Sequence, residues 1–463
     1  MIILLASYLF YIWSSPQGAI VLFITTVIDF ILVKYLYNSR TKIKQNIILA
    51  LSVIGNITVL IYFKYSNFFI YEINKILETF HFNPLVWENV IFPIGVSFFT
   101  FHKISYVIDV YSGKAEPSDN FLNYAMYIAL FPKLLMGPII RYHNIATQLK
   151  GHDNSIDDIF DGLFRFCVGF AKKVLIADVL AEVADKVFQL DFSSITVGYA
   201  WLGMTCYTFQ IYFDFAGYSD MAIGIGKILG FTFQENFNRP YISQNFSEFW
   251  RRWHISLSNW FKEYLYIPLG GNRVSKFRNY LNLWVVFLIS GLWHGANWTF
   301  IVWGIYHGFF LFIDKIAHSC NFSKFRCVKM FWGERFKWLS KVINISLTFI
   351  LVMIGWVIFR SDNITFAFQY LQRIFDFTNI NQISTNVMLD DLINNRNIFT
   401  LFIASFISFF PDSGVTKLQG KFKNRINELQ TFWIKQCIII ILFVLSFASL
   451  LNKSFKPFIY FRF

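Results

Sequence analysis

Residues 279–317 read NYLNLWVVFLISGLWHGANWTFIVWGIYHGFFLFIDKIA, two apolar runs that meet around His294. A membrane-spanning helix needs about 20 mostly apolar residues. This stretch holds two such candidates, 279–300 and 297–317. His294 stands between Gly291 and Gly295. A polar side chain inside a membrane segment is costly, so it is a functional candidate by default. Small flanking residues let another backbone or a thin substrate approach closely. A lone histidine also serves as a hydrogen-bonded packing residue, and periodicity does not separate the two roles. His307 lies 13 residues further on. On a continuous helix that is about 220° of rotation, so His307 faces elsewhere and reads as structural.

The rest of the chain repeats the apolar signal. Further candidate spans fall near 18–37, 46–64, 88–110, 121–140, 159–180, 196–216, 342–360, 395–411 and 431–451. Shorter stretches lie near 2–13, 219–231 and 242–268, the last too charged for a lipid-facing span. It reads as interfacial or re-entrant helices buried against protein. Of the 463 residues, 56% are hydrophobic and 15% charged. Soluble proteins of this size carry roughly a quarter of charged residues. The expected fold class is therefore an all-α, polytopic integral membrane protein. The 58 Phe residues, with frequent Ile, Asn and Lys, mainly reflect compositional bias.

The charge balance is 41 Lys+Arg against 28 Asp+Glu, a net +13. In a membrane protein the first explanation is basic cytoplasmic loops rather than nucleic acid. Lys34, Arg40, Lys42 and Lys44 form one cluster. Lys324, Arg326, Lys329, Arg335, Lys337 and Lys341 form a second, and Lys417, Lys421, Lys423 and Arg425 a third. Two spans between the second and third return the chain to the same side. One more, 431–451, then carries the C-terminus out of the cytoplasm. The opening MIILLASYLFYIW lacks a basic n-region and reads as a first short membrane element rather than a removed signal. The cysteines Cys167, Cys206, Cys320, Cys327 and Cys437 form no C-x-x-C pair, and neither a disulfide framework nor a metal site is expected.

Residues 246–273, FSEFWRRWHISLSNWFKEYLYIPLGGNR, hold the densest polar chemistry. On one helix, Arg251, His254 and Ser258 would share a face. Trp250, Trp253, Trp260 and Tyr264 suit the membrane interface. A tight turn is expected at Pro268–Gly271. Histidine suits general-base work because its ordinary pKa is near 6.5. No G-x-S-x-G elbow, H-E-x-x-H, P-loop or G-x-G-x-x-G is present.

Several blocks together resemble the membrane-bound O-acyltransferase family, in its alginate and peptidoglycan O-acetyltransferase branch. They are residues 246–273, SGLWHGANW at 290–298, FPKLLMGPIIRY at 131–142, IYFDFAGYSDMAIG at 211–224 and WVIFR at 356–360. They occur in the expected order along nearly the whole chain. The resemblance implies a ring of tilted helices around a thin core, with a through-tunnel and re-entrant helices. The family's invariant histidine falls on His294, and the second histidine of this branch on His254. The implied donor is acetyl-coenzyme A from the cytoplasm, with no metal. The implied location is the inner membrane.

The last six residues, Phe458-Ile-Tyr-Phe-Arg-Phe463, read as an aromatic interfacial anchor on composition alone. The pattern is also similar to the tail of the small membrane peptide that serves the D-alanyl-transferring acyltransferases of teichoic acid modification. That likeness makes Tyr460 an expected acyl carrier, on a helix fused to the enzyme. The expected organisation is an acyltransferase core over 1–411, a basic cytoplasmic loop over 412–430, and a C-terminal span with an extracytoplasmic tail over 431–463. Acetyl would pass from Tyr460 to a periplasmic serine-dependent partner and on to a polysaccharide, with peptidoglycan preferred over alginate. A transporter or channel predicts paired repeats and a charged pore, which the sequence lacks. An envelope scaffold would leave both histidines replaceable.

Overall fold

The computed structural model describes residues 1–151, 154–319, 337–377, 393–411, 427–451 and 456–459. The second and third basic clusters, apart from Lys337 and Lys341, lie outside the described residues, as does Tyr460. Most of the described residues are helical, with no strand among them. They form two compact units, residues 1–162 with 222–234 and residues 163–221 with 235–463. Among the described residues, five helices are long and apolar enough to cross a membrane: Pro16–Asn38, Lys42–Thr79, Trp298–Ala317, Trp338–Arg360 and Leu429–Leu451.

The first unit opens with α1 (Ile2–Ser14), α2 (Pro16–Asn38) and α3 (Lys42–Thr79). Pro16 starts α2, where a missing N–H is no loss. Lys34, Arg40, Lys42 and Lys44 are exposed around the α2–α3 connection. Polar groups inside this unit are tied together. Asp29 accepts from Ser52 at 2.7 Å and from Asn56 at 2.9 Å. The expected span at 88–110 begins later than its apolar composition suggests: only α4 (Val96–Tyr111) is helical, and it is buried almost along its length. The expected span at 121–140 does not form. Leu130-Phe-Pro132 breaks it into α5 (Phe121–Ala129) and a single turn, α6 (Phe131–Leu134), because proline lacks the N–H a helix interior needs. The block after it runs as irregular chain to α7 (Tyr142–Ile145). Tyr127 holds that chain by donating to the carbonyl of Ile140 at 2.9 Å.

The second unit carries His254, His294 and His307. Helix α8 (Ile156–Ala171) continues through a π-helical turn, Lys172–Ala177, into α9 (Asp178–Phe188). Helix α10 (Val197–Ile228) is one helix where two segments, 196–216 and 219–231, were expected. Its polar middle, Asp214, Ser219 and Asp220, looks like a break in hydropathy but is buried and partnered. A Cβ on Gly169 would lie 2.5 Å from the Gly217 carbonyl oxygen, so α8 and α10 cross with backbones in contact. Residues 242–268 form α11 (Phe246–Arg252), α12 (Ile255–Phe261) and a π-turn (Lys262–Tyr266), short helices against protein as expected. The turn that follows holds Gly270 and Gly271 at φ +104° and +52°, the left-handed region open to glycine.

Helices α13 (Lys276–His294) and α14 (Trp298–Ser319) form a tight hairpin. A Cβ on Gly291 would sit 2.4 Å from the Phe300 carbonyl oxygen, and one on Gly304 2.5 Å from that of Phe287. The backbone that approaches beside His294 is therefore α14. Asn297 starts α14 by accepting from the Thr299 N–H at 3.0 Å. The unit is completed by α15 (Lys337–Arg360), α16 (Ile364–Phe375), α17 (Asn395–Phe409) and α18 (Glu428–Leu451).

Candidate active site

The expectation that Arg251, His254 and Ser258 share one helix face fails. The helix stops at Arg252, and His254 adopts φ +43° between α11 and α12. A non-glycine residue in the left-handed region costs roughly 1–2 kcal/mol, so its surroundings must enforce it. They do so through the segment at 236–238. Asn238 N–H donates to the Arg252 carbonyl at 2.9 Å, and Ile255 N–H to the Asn236 carbonyl at 2.9 Å. The two strands of chain clamp His254 between them.

The clamp also orients the imidazole. His254 Nδ1 lies 3.0 Å from Asn236 Oδ1. Asn236 donates its amide to Ser219 Oγ at 3.0 Å, and Ser256 Oγ donates to Oδ1 at 2.8 Å. With Oδ1 accepting, Nδ1 carries the proton and Nε2 presents a lone pair. His254 is 1% exposed, and Nε2 has no hydrogen-bond partner among the described residues. An Nε2 lone pair left open in this way is able to accept a proton. Phe215 packs edge-on against the ring at 4.7 Å between centroids.

His294 closes α13 and is also buried. Trp293, at 4.8 Å, Trp303, at 4.9 Å, and Phe359, at 5.2 Å, surround its ring. Trp293 also lies 6.3 Å from His254. One indole thus neighbours both histidines, which the sequence placed 40 residues apart. His307 is closer to this group than continuous-helix geometry allows. The hairpin breaks the helix at Gly295–Asn297, and His307 lies 4.7 Å from Trp303, the ring that also packs on His294. Neither nitrogen of His307 has a hydrogen-bond partner among the described residues.

Beside this cluster is a cavity of about 730 Å³. Trp250, Arg251, Ser258, Lys262, Ser290 and Lys315 are among its lining residues, which come from α11, α12, the π-turn, α13 and α14. Ser290 is one helical turn before His294. Trp250 lies 5.7 Å from Trp303, so one aromatic layer links the cavity wall to the His294 surroundings. Among the described residues no His, Cys, Asp and Glu group could hold a metal ion.

Of the tail residues before Tyr460, Pro457 is exposed, Phe458 half-buried and Ile459 buried. Ile459 is 2% exposed, and its N–H donates to Asp214 Oδ2 at 2.9 Å. Sequence reasoning missed Asn236, Asp214 and the aromatic partners of the histidines. Asn236 lies 18 residues from His254 and Asp214 245 residues from Ile459, and no spacing announces either contact.

Residues 47–359 match the family model of the membrane-bound O-acyltransferases, more than half of the chain. A protein of Pseudomonas aeruginosa named "Probable alginate O-acetylase AlgI" is 44% identical over 81% of this chain and 70% of its own length. A protein of the same name from Pseudomonas putida is 39% identical over the whole of this chain and 94% of its own. The peptidoglycan O-acetyltransferase of Helicobacter pylori is 32% identical over 100% of this chain and 91% of its own. With the motif blocks, the buried histidines and the apolar helices in place, the chain belongs to the membrane-bound O-acyltransferase family and is an acyltransferase of the membrane.

Proposed function

We propose that this protein moves an acetyl group from acetyl-coenzyme A in the cytoplasm across the inner membrane, through Tyr460, to a periplasmic serine-dependent partner that O-acetylates a polysaccharide. The carrying observation is the pair of buried histidines around Trp293, with the Nε2 lone pair of His254 held available by Asn236. The docked tail at Ile459, one residue before Tyr460, supports the relay. The cationic lining of the cavity, from Arg251, Lys262 and Lys315, suits the phosphates of coenzyme A.

In this mechanism His294, helped by His254, takes the phenol proton of Tyr460 as its oxygen attacks the thioester carbonyl. A C–O bond forms and the C–S bond breaks. The thiolate of coenzyme A leaves and recovers a proton from the imidazolium. The resulting phenyl ester is an activated acyl group. A serine hydroxyl of the partner then attacks it, the C–O bond to the phenol breaks as the serine proton passes to the departing phenolate oxygen, and Tyr460 is regenerated for another cycle. The C-terminal tail works on the extracytoplasmic side.

The preferred acceptor is peptidoglycan, with alginate or another exopolysaccharide as the alternative. Relatives bearing both names align over this whole chain. The test is expression in cells deleted for their own enzyme, with ester-linked acetate measured separately on purified peptidoglycan and on exopolysaccharide. Acetate restored on one polymer assigns the acceptor. Acetate on neither, with the protein present in the membrane and its partner co-expressed, overturns the reading.

A further inference from the structure

Lys173 and Asp214 form an ion pair at 2.6 Å, with their side chains 5% and 3% exposed. Charges this deep in a membrane protein are costly and mark function. The pair is placed by two local features. The π-turn at Lys172–Ala177 turns Lys173 toward α10. The Gly169–Gly217 crossing brings the two helices within reach, with Gly217 also against the backbone N of Lys173. Lys172 makes its own pair with Asp220 at 2.6 Å, six residues along α10.

Both partners also bond to the C-terminal segment. Lys173 Nζ contacts Asp214 Oδ1, Asp178 Oδ1 at 2.8 Å and the Pro457 carbonyl at 3.5 Å. Asp214 gives Oδ1 to Lys173 and Oδ2 to the Ile459 N–H. Phe458 lays its ring 4.6 Å from Lys173 Nζ and meets Tyr218 edge-on at 5.1 Å. Lys456 lies within electrostatic reach of Asp178. Two lysines then balance two aspartates, and one lysine comes from the tail. Asp214 is near the middle of a helix about 48 Å long, so this is an interior contact.

We propose that Lys173 and Asp214 are positioning residues, a charged latch that binds the backbone of Pro457–Ile459. The latch fixes the register of the chain one residue before Tyr460. Asp214 is followed along α10 by Phe215, the ring that packs on His254. Its catalytic purpose rests on the tyrosine relay; its binding of the tail does not.

The test places a benzophenone amino acid at Phe458 in the full-length protein in membranes and reads photo-cross-linking to the α10 peptide containing Tyr218. Ile459→Pro deletes the N–H that Asp214 accepts and lies outside the long helices. It is expected to cut cross-linking roughly tenfold, the value of a hydrogen bond to a charged acceptor. Ile459→Val keeps the N–H and is expected to hold cross-linking within about twofold. The neutral pair Lys173→Gln with Asp214→Asn is expected to behave like Ile459→Pro. Without the photoprobe, acetyl transfer in Ile459→Pro should fall in kcat with KM for acetyl-coenzyme A unchanged, a split that general misfolding does not produce. Undiminished cross-linking in Ile459→Pro overturns the latch. Lost cross-linking together with normal polymer acetylation in Tyr460→Phe upholds the latch and removes the relay.

Discussion

His254 Nδ1 lies 3.0 Å from Asn236 Oδ1, an oxygen that also accepts from Ser256, so the imidazole is held with Nε2 as its basic nitrogen. Replacing Asn236 by Leu removes the acceptor and frees the tautomer. Acetyl transfer in isolated membranes is expected to fall by about 10- to 100-fold, a part of the general-base contribution, with the protein still present in the membrane. Full activity in Asn236→Leu would show that the tautomer is set by something else.

His254 and His294 share Trp293 and are expected to act together. His294→Ala should lower transfer by roughly 10²- to 10⁴-fold, the range of a general base, and His254→Ala should also lower it. Groups that serve one step are not additive, so the double variant should be little worse than His294→Ala alone. Single-turnover transfer from radiolabelled acetyl-coenzyme A measures this. Strictly multiplicative losses would assign the two residues to separate steps.

His307 offers a contrast inside the same aromatic layer. It is fully buried, with neither nitrogen bonded among the described residues. An unsatisfied buried polar group costs about 1–3 kcal/mol. His307→Phe keeps an aromatic ring against Phe246, Trp250 and Trp303 and is expected to retain activity within a few-fold while raising the melting temperature in detergent. A loss as large as that of His294→Ala would give His307 a direct part in the reaction.

The hairpin that presents His294 depends on Gly291. A side chain there meets the Phe300 carbonyl at 2.4 Å, and that oxygen belongs to backbone rather than to the end of a flexible side chain. Gly291→Val should therefore lower stability by about 1–3 kcal/mol, the usual cost of overpacking, seen as earlier thermal aggregation in detergent. An unchanged melting curve would mean that α13 and α14 separate freely.

These elements show what the sequence made legible. Apolar length located the helices around 279–317, 342–360 and 431–451 because lipid-facing surface leaves a simple compositional mark. The same rule failed at 121–140, where Pro132 outweighs hydropathy, and inside α10, where buried Asp214 and Asp220 imitate a loop. His254 and His294 were visible through motif blocks. Their common neighbour Trp293 was not, since it needs both the α11–α12 break and the α13–α14 hairpin. The break itself escaped helical periodicity because a histidine at φ +43° is enforced by distant Asn236 and Asn238. Docking of Ile459 on Asp214 joins residues 245 apart and has no local signature.

The central claim is that acetyl passes through the tail tyrosine under the action of the paired histidines. Purified protein incubated with acetyl-coenzyme A, acid-quenched and digested, can be read by mass spectrometry of the C-terminal peptide. An acetyl ester is expected on Tyr460 in the natural protein and none in His294→Ala, with polymer acetylation lost in Tyr460→Phe. An unmodified Tyr460 in an actively transferring protein, with polymer acetylation intact in Tyr460→Phe, would contradict it.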